Sequence, residues 1–358
     1  MNPHRRLLLQ GTLRALAATG AGLLPVWTRA LPLRELRFPR DFGSHPELRT
    51  EWWYITGHAR EREREFGFQI TFFRSRIDET QGMTSAFAAR QVVFAHAALT
   101  DLDGARLWHA QRIARAGMGV AAASEQDTAL RLRDWMLIRE GGSYRARASS
   151  DDFALDLVFT PTQPVLPQGV AGLSRKGPEP SQASYYYSEP QLAAGGGIRL
   201  KGRRFEVTGK AWLDHEWSEA LLHPEAVGWD WVGMNLDDGA ALTVFHLRDA
   251  TGAALWAGGS IRPAGGLPRS FAANEVSFEA LRHWTSPNSR ARYPVEWRVR
   301  TPAGVFRVRS LLDDQELDSR GSTGAIYWEG LSDLLDEQGR RIGRGYLEMT
   351  GYASPLRL

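Results

Sequence analysis

Apolar runs in this chain are short, alternating or aromatic-rich, and end at Gly, Asn/Asp or Asp-Gly; helical spacing is scarce. The runs are Glu51–Gly57, Phe66–Phe73, Gln91–Leu99, Arg106–Ala110, Trp135–Arg139, Tyr144–Ala148, Phe153–Phe159 and Phe205–Trp212. They continue as Trp229–Asn235, Leu242–Leu247, Val295–Val299, Val305–Val308, Ala325–Trp328 and Gly345–Thr350. Many short strands separated by turn residues predict an all-β chain of antiparallel sandwiches or barrels. Only Ala86–Ala89 and Ser277–Trp284 read as short helices.

The chain also repeats itself. Trp52-Trp53-Tyr54-Ile55, a turn and Phe68 to Arg74 answer Trp229-Asp230-Trp231-Val232, a turn and Leu242 to Arg248. Gly209-Lys210-Ala211-Trp212-Leu213-Asp214 answers Gly343-Arg344-Gly345-Tyr346-Leu347-Glu348, and an aromatic run with an acid precedes each: Tyr185 to Glu189, and Tyr327-Trp328-Glu329. Two related β units are therefore expected, over residues 38–222 and 223–358, with Asp214 and Glu348 at equivalent positions.

At 358 residues the chain suits one large or two ordinary domains. The net charge of +3 is nearly balanced and the Arg excess forms no block, so no nucleic-acid partner is expected. There is no Cys, which excludes disulfides, thiol nucleophiles and Cys-ligated zinc. The 13 Trp suit a ring-stacking ligand such as a sugar, polyene or lipid, and equally an all-β core. Residues 1–30 read as an export signal: Arg5-Arg6 precedes an apolar run of the twin-arginine type, and Thr28-Arg29-Ala30 offers a small-x-small cleavage site. The mature protein is then periplasmic or secreted, with no transmembrane span; an amphipathic N-terminal anchor is the alternative.

The densest chemistry lies in Asp214-His215-Glu216-Trp217 and Trp229-Asp230-Trp231. A carboxylate held against indole rings loses hydration, so its pKa rises and it can act as an acid near neutral pH. Structural hydrogen bonding to Trp ring N–H groups is the plainer role for the same acids. The expected site joins Asp214, His215, Glu216, Trp217, Glu51, Trp229, Asp230 and Tyr186 in one aromatic cleft. Only one of Asp214 and Glu216 is expected to face it. His215 and Trp217 share a face, as proton handler and as platform for a cation or polyene. His96, in an apolar run, reads as a core residue. No H-x-x-x-H or H-E-x-x-H spacing supports a metal and no cofactor is expected; G-x-S-x-G is absent.

Glu51-Trp52-Trp53-Tyr54, Phe94-Ala95-His96, Leu173 to Gly177, Ser184 to Ser188, Asp214 to Trp217 and Tyr327-Trp328-Glu329-Gly330 occur together and in order. In these motifs the chain resembles the AttH-type secreted proteins, described as hydrolases and grouped with carotenoid 1,2-hydratase. The resemblance implies a tandem lipocalin-like fold. It also implies a hydrophobic small molecule or lipid as ligand, with Trp52, Trp53, Trp231, Trp328 and Glu329 added to the substrate-contacting set. Hydration of an alkene needs an acid, stabilisation of the resulting cation and managed water. The hydratase's His-x-Trp looks like His215-Glu216-Trp217, whereas its Tyr-x-Asp pair falls on Phe245 and Leu247, which lack that chemistry. The resemblance allows two function classes: an enzyme hydrating or hydrolysing a lipid or terpenoid-like substrate, and a carrier serving an envelope ABC-type exporter.

Overall fold

The short runs pair into two antiparallel sheets. The computed structural model describes residues 30–220 and 222–356; it places thirteen strands between Thr50 and Ala220 in one sheet, and ten between Gly228 and Met349 in the other. The predicted export signal up to Arg29 lies outside the described residues. Among the described residues, no helix is long and apolar enough to cross a membrane. Helical turns are three-residue segments at Arg40–Phe42, Asp78–Thr80 and Ala273–Glu275. Neither predicted helix forms. Ser277–Thr285 is a strand paired with Arg292–Thr301, where Phe278 meets Val299 and Ala280 meets Trp297, so sheet pairing overrides a weak local preference. Ala86–Ala89 is irregular, with an Ala88 N–H to Ser85 C=O turn bond of 3.1 Å.

The two sheets share one strand order. In the first, neighbours run 106–115, 91–101, 64–76, 50–61, 203–220, 183–200, 153–160, 143–149 and 135–140. In the second they run 269–271, 254–262, 241–248, 228–236, 341–349, 326–335, 304–310, 292–301 and 277–285. The first sheet continues into strands 129–132 and 121–123, which fold back against strands 91–101 and 106–115, nearly closing a barrel. Register completes the match. The row Tyr54–Asp214–Ser188 in the first sheet corresponds to Trp231–Glu348–Glu329 in the second. Asp214 and Glu348 therefore hold equivalent places, as do Trp52 to Tyr54 and Trp229 to Trp231. Glu329 falls on Ser188, one residue short of Glu189.

Side chains two apart on a strand share a face, and this sorts the motifs. On Thr50–Glu61, Trp53, Ile55 and Ala59 enter the first barrel's core; on Arg203–Ala220, Phe205, Val207, Ala211, Leu213 and Trp217 do the same. On the second unit's strands, Val232, Met234, Leu347 and Met349 enter the other core. The alternate residues Trp52, Tyr54, Trp212, Trp229, Trp231 and Tyr346 form a third cluster between the sheets. These central strands are buried on both faces, which explains why their sequences do not alternate apolar with polar. Cross-sheet bonds fix the join: Asn235 Nδ2 donates to the Ala211 carbonyl at 3.0 Å, and the Gln191 amide donates to the Leu236 and Ala240 carbonyls at 2.9 Å each.

Candidate functional site

The faces that pack together also enclose a cleft of about 980 Å³, its open mouth included. Trp52, Tyr54, Gln69, Thr71, Phe73, Tyr186, Asp214 and Glu216 line it from the first unit; Trp229, Trp231, Phe245, Leu247, Tyr327, Glu329 and Glu348 line it from the second. The walls are mostly aromatic and aliphatic, yet four carboxyl groups meet between them.

Asp214 is buried and accepts three hydrogen bonds: from Ser188 Oγ at 2.5 Å, Trp212 Nε1 at 2.7 Å and Tyr186 Oη at 2.8 Å. Those bonds favour the charged form, but loss of water outweighs them and raises its pKa to about 7. Trp231 Nε1 donates to the same Tyr186 hydroxyl at 3.2 Å, tying the opposite wall to this acid. Glu348 sits at the equivalent strand position. It is also raised to about 7, by desolvation and then by the charges of Asp214, Glu216 and Asp230. Asp214, Glu216 and Glu329 are buried, whereas Glu348 keeps part of its surface open. Burial, and then the charge of Glu348, pushes Glu329 well above the usual carboxylate range.

Glu216 is the compensated member. Lys176 Nζ lies 2.9 Å from its Oε1, and the Ser184 hydroxyl donates to the same oxygen. The ammonium also stands 4.3 Å from the Phe245 ring centre and 4.8 Å from that of Tyr186, within cation–π range. Lys176 thus serves a buried acid.

Several expected members of the cleft lie elsewhere. His215 and Trp217 point into the first barrel, because they alternate with Asp214 and Glu216. There His215 Nε2 lies 2.8 Å from Glu51 Oε1, its Nδ1 lies 3.1 Å from Tyr187 Oη, and its ring stacks 4.4 Å from Trp53. Burial lowers its pKa to about 4. Both Asp214 and Glu216 face the cleft, against the expectation of one, since residues two apart share a face. Glu51 borders the cleft through its strand, but its carboxylate joins the interior network. Trp53 and Trp328 are core residues of the two units. Asp230 faces the second core, bonded by His246 Nε2 at 2.5 Å, Arg248 Nε at 2.7 Å and Tyr352 Oη at 3.0 Å. His96 joins the units: Nδ1 lies 2.8 Å from Tyr327 Oη and Nε2 2.8 Å from Ser322 Oγ. Sequence reasoning passed over Glu348 as a site residue, although the repeat had paired it with Asp214. It passed over Tyr54 and Gln69, whose strand positions carry no chemical signature.

One donor set resembles a cation site. His45 Nδ1, His215 Nε2 and Glu51 Oε1 lie within 4.8 Å of one another, all buried. Arg74 Nε holds the other Glu51 oxygen at 2.8 Å, and Asp41 holds the other His45 nitrogen at 2.9 Å. A guanidinium bonded to the would-be ligand opposes a second cation there, and the arrangement suits a closed proton-sharing network.

Comparison with known proteins agrees with the architecture. The AttH-like family model matches residues 29–352. The structure of a Nitrosomonas europaea protein provisionally assigned as an AttH is similar at 46% identity and a TM-score of 0.84, covering 90% of this chain and 99% of that one. Kievitone hydratase from Nectria haematococca shares the fold at 14% identity and a TM-score of 0.66, over 85% of this chain and 89% of that one. CghA shares it at 14% identity and a TM-score of 0.52, over 86% and 88%. No curated protein matches the chain. With its two equivalent lipocalin-like units and a family match spanning both, the chain belongs to the AttH-like family.

Proposed function

We propose that the cleft binds a largely apolar, unsaturated substrate and adds water across a carbon–carbon double bond, with Glu348 as proton donor and Asp214 as its tuning partner. The observation that carries this is the pair of carboxyl groups at equivalent positions on facing walls, each raised to about 7. An acid with a pKa near ambient pH is half protonated and still a usable donor. Only Glu348 of the four keeps surface open to the cleft, so it is the one a substrate can touch. Asp214, held by three donors, stays in place and by its charge keeps Glu348 protonated. Trp52, Trp229 and Trp231 line the cleft beside the cation formed on protonation, where their rings can stabilise it. Hydration is favoured over Ser-His hydrolysis because no His lines the cleft among the described residues, and Ser184 and Ser188 donate to carboxylates. The relatedness of fold to a protein named kievitone hydratase is consistent with this reading.

The test uses an acyclic terpene alkene, myrcene, with turnover followed by gas chromatography and binding by Trp fluorescence. Glu348→Gln is expected to cut turnover by roughly 100-fold or more while leaving binding within a few-fold. Asp214→Asn is expected to shift the alkaline limb of the pH–rate profile downward. Binding without hydration of myrcene or of a longer polyene, unchanged in both variants, identifies a carrier instead, and an envelope exporter becomes the partner to seek. The export signal is part of the same proposal. N-terminal sequencing of periplasmic protein is expected to begin near Leu31; retention of Met1 in the cytoplasm overturns it.

A further inference from the structure

Among the described residues, three buried polar atoms on the cleft walls lack a well-formed hydrogen bond: Tyr54 Oη, Gln69 Oε1 and Glu329 Oε1, with Tyr54 and Tyr327 close enough to Glu329 to favour its charged form. Their residues are 6%, 2% and 2% exposed. Orphaned buried polar groups are rare in native proteins, because leaving one unmet is costly. Three in one cleft, two from the first unit and one from the second, point to a ligand atom that satisfies them together. Tyr54 comes from the first sheet, two residues from Trp52 on the same face, and its ring meets Trp231 edge-on at 5.3 Å. Gln69 uses Nε2 on Thr71 Oγ1 at 2.6 Å, leaving the other end of its amide free. Glu329 comes from the second sheet, directly across the strand pair from Glu348. The charge on Glu329 is felt by Tyr54 and by Tyr327, so these groups form one cluster.

We infer that Tyr54, Gln69 and Glu329 form a subsite for a hydroxyl oxygen, and that in the reaction it holds the water that is added. A phenol offers a donor, an amide oxygen an acceptor, and a protonated carboxyl either. Water needs two to four such partners. The inference rests on the hydration reading and assigns its second half. The Glu348 O–H bond breaks as its proton forms a new C–H bond with the alkene π pair, leaving a tertiary cation. The lone pair of the held water forms the C–O bond. The surplus proton of that oxygen passes to the Glu329 carboxyl, which releases its own to the Glu348 carboxylate across the strand pair. Both acids are restored and the sum is alkene plus water to alcohol. Tyr54 and Gln69 fix the water's lone pair and are positioning residues.

The subsite is tested without turnover. Wild-type protein is expected to bind myrcenol, the tertiary alcohol from hydrating myrcene's trisubstituted alkene, about 10-fold more tightly than myrcene, the scale of one or two buried hydrogen bonds. Tyr54→Phe, Gln69→Leu and Glu329→Gln should each narrow that gap by about threefold or more, with myrcene affinity unchanged; Glu348→Gln should keep the gap. No alcohol preference in wild type, or one untouched by all three variants, overturns the subsite. Unaltered myrcene binding shows in the same titration that the variants are folded. Turnover then separates two sources of the oxygen. Loss of kcat with KM unchanged in Tyr54→Phe and Gln69→Leu is expected for held water. Unchanged kcat on myrcene, which carries no hydroxyl of its own, overturns the water assignment and leaves the subsite to a hydroxyl already on the natural substrate. If no protein turns over any alkene, the hydration reading fails while the alcohol preference still decides the subsite.

Discussion

The two faces of strand Arg203–Ala220 bury acids and imidazole a few ångströms apart and treat them oppositely. On the inward face, burial alone would push the Glu51 carboxyl up. Hydrogen bonds from His215 and His45, and the charge of His45, outweigh that and hold it well below the usual carboxylate range. Arg74 completes the set. On the outward face, Asp214 receives only neutral donors, and burial wins, raising it to about 7. The decisive difference is how many cations are aimed at each carboxylate, since both acids are buried. A compensated acid is committed to one protonation state and serves the fold. An under-compensated acid sits near its titration point and can serve chemistry.

That contrast breaks most sharply under mutation of the inward cation. Arg74→Met leaves Glu51 short of its cation in a site where the two side chains are 2% and 0% exposed. Removing one partner of a buried pair costs about 3–5 kcal/mol, read as a lower urea midpoint at unchanged slope. Asp214→Asn keeps the shape and removes no ion pair, so its unfolding free energy should stay within about 1 kcal/mol of wild type. Equal destabilisation by the two variants would mean that the faces do not differ in kind.

Why some of this was legible in the sequence and some was not follows from the same strand. The fold class was plain in the short runs and turn residues. The repeat was plain because Trp212-Leu213-Asp214 and Tyr346-Leu347-Glu348 occupy matched registers. Alternation along a strand is also in the sequence, and it already separates His215 and Trp217 from Asp214 and Glu216. What it lacks is which face meets the other unit, because both faces of these strands are apolar. The motif therefore reads as one site when it is two. His215 and Arg74 reach Glu51 from other strands, and Gln69 reaches the cleft with no motif around it; such partners exist only after the sheet closes.

The pH dependence of stability should carry opposite signs at Asp214 and at His215. Asp214 and Glu348 have folded pKa values near 7, above their unfolded values of 3.8 and 4.5. Their contribution is full below about pH 4 and is lost as pH rises through 7. His215 is lowered to about 4 from 6.5, so its contribution is full above pH 6.5 and is lost as pH falls towards 4. Each group contributes a slope of at most about 1.4 kcal/mol per pH unit. In urea titrations from pH 4 to 9, Asp214→Asn should flatten the alkaline loss and leave the acid side unchanged. Glu348, Glu189, raised to about 7 by burial in the first barrel beside Tyr144, and His45, raised against burial by its bonds to Asp41 and Glu51, share the alkaline sign and account for the slope that remains. An alkaline slope untouched in both Asp214→Asn and Glu348→Gln would place those acids among ordinary ionised carboxylates.

The smallest effect compares the cleft's two walls. Tyr54 and Trp231 hold equivalent positions opposite Asp214 and Glu348. Trp231 uses its ring nitrogen on Tyr186 Oη at 3.2 Å, while among the described residues the Tyr54 hydroxyl makes no well-formed bond and approaches only Glu329. Trp231→Phe keeps an aromatic face and deletes that one bond, whose net value is about 0.5–1.5 kcal/mol. Because the bond runs between the two sheets and braces the hydroxyl that donates to Asp214, its loss should appear in two measurements. The urea midpoint should fall by the equivalent of about 1 kcal/mol. The Asp214-dependent part of the pH profile should move to slightly higher pH, since a less constrained Tyr186 stabilises the charged carboxylate less well. A midpoint shift with no movement of the profile would confine Trp231 to packing and separate the brace from the acid it supports.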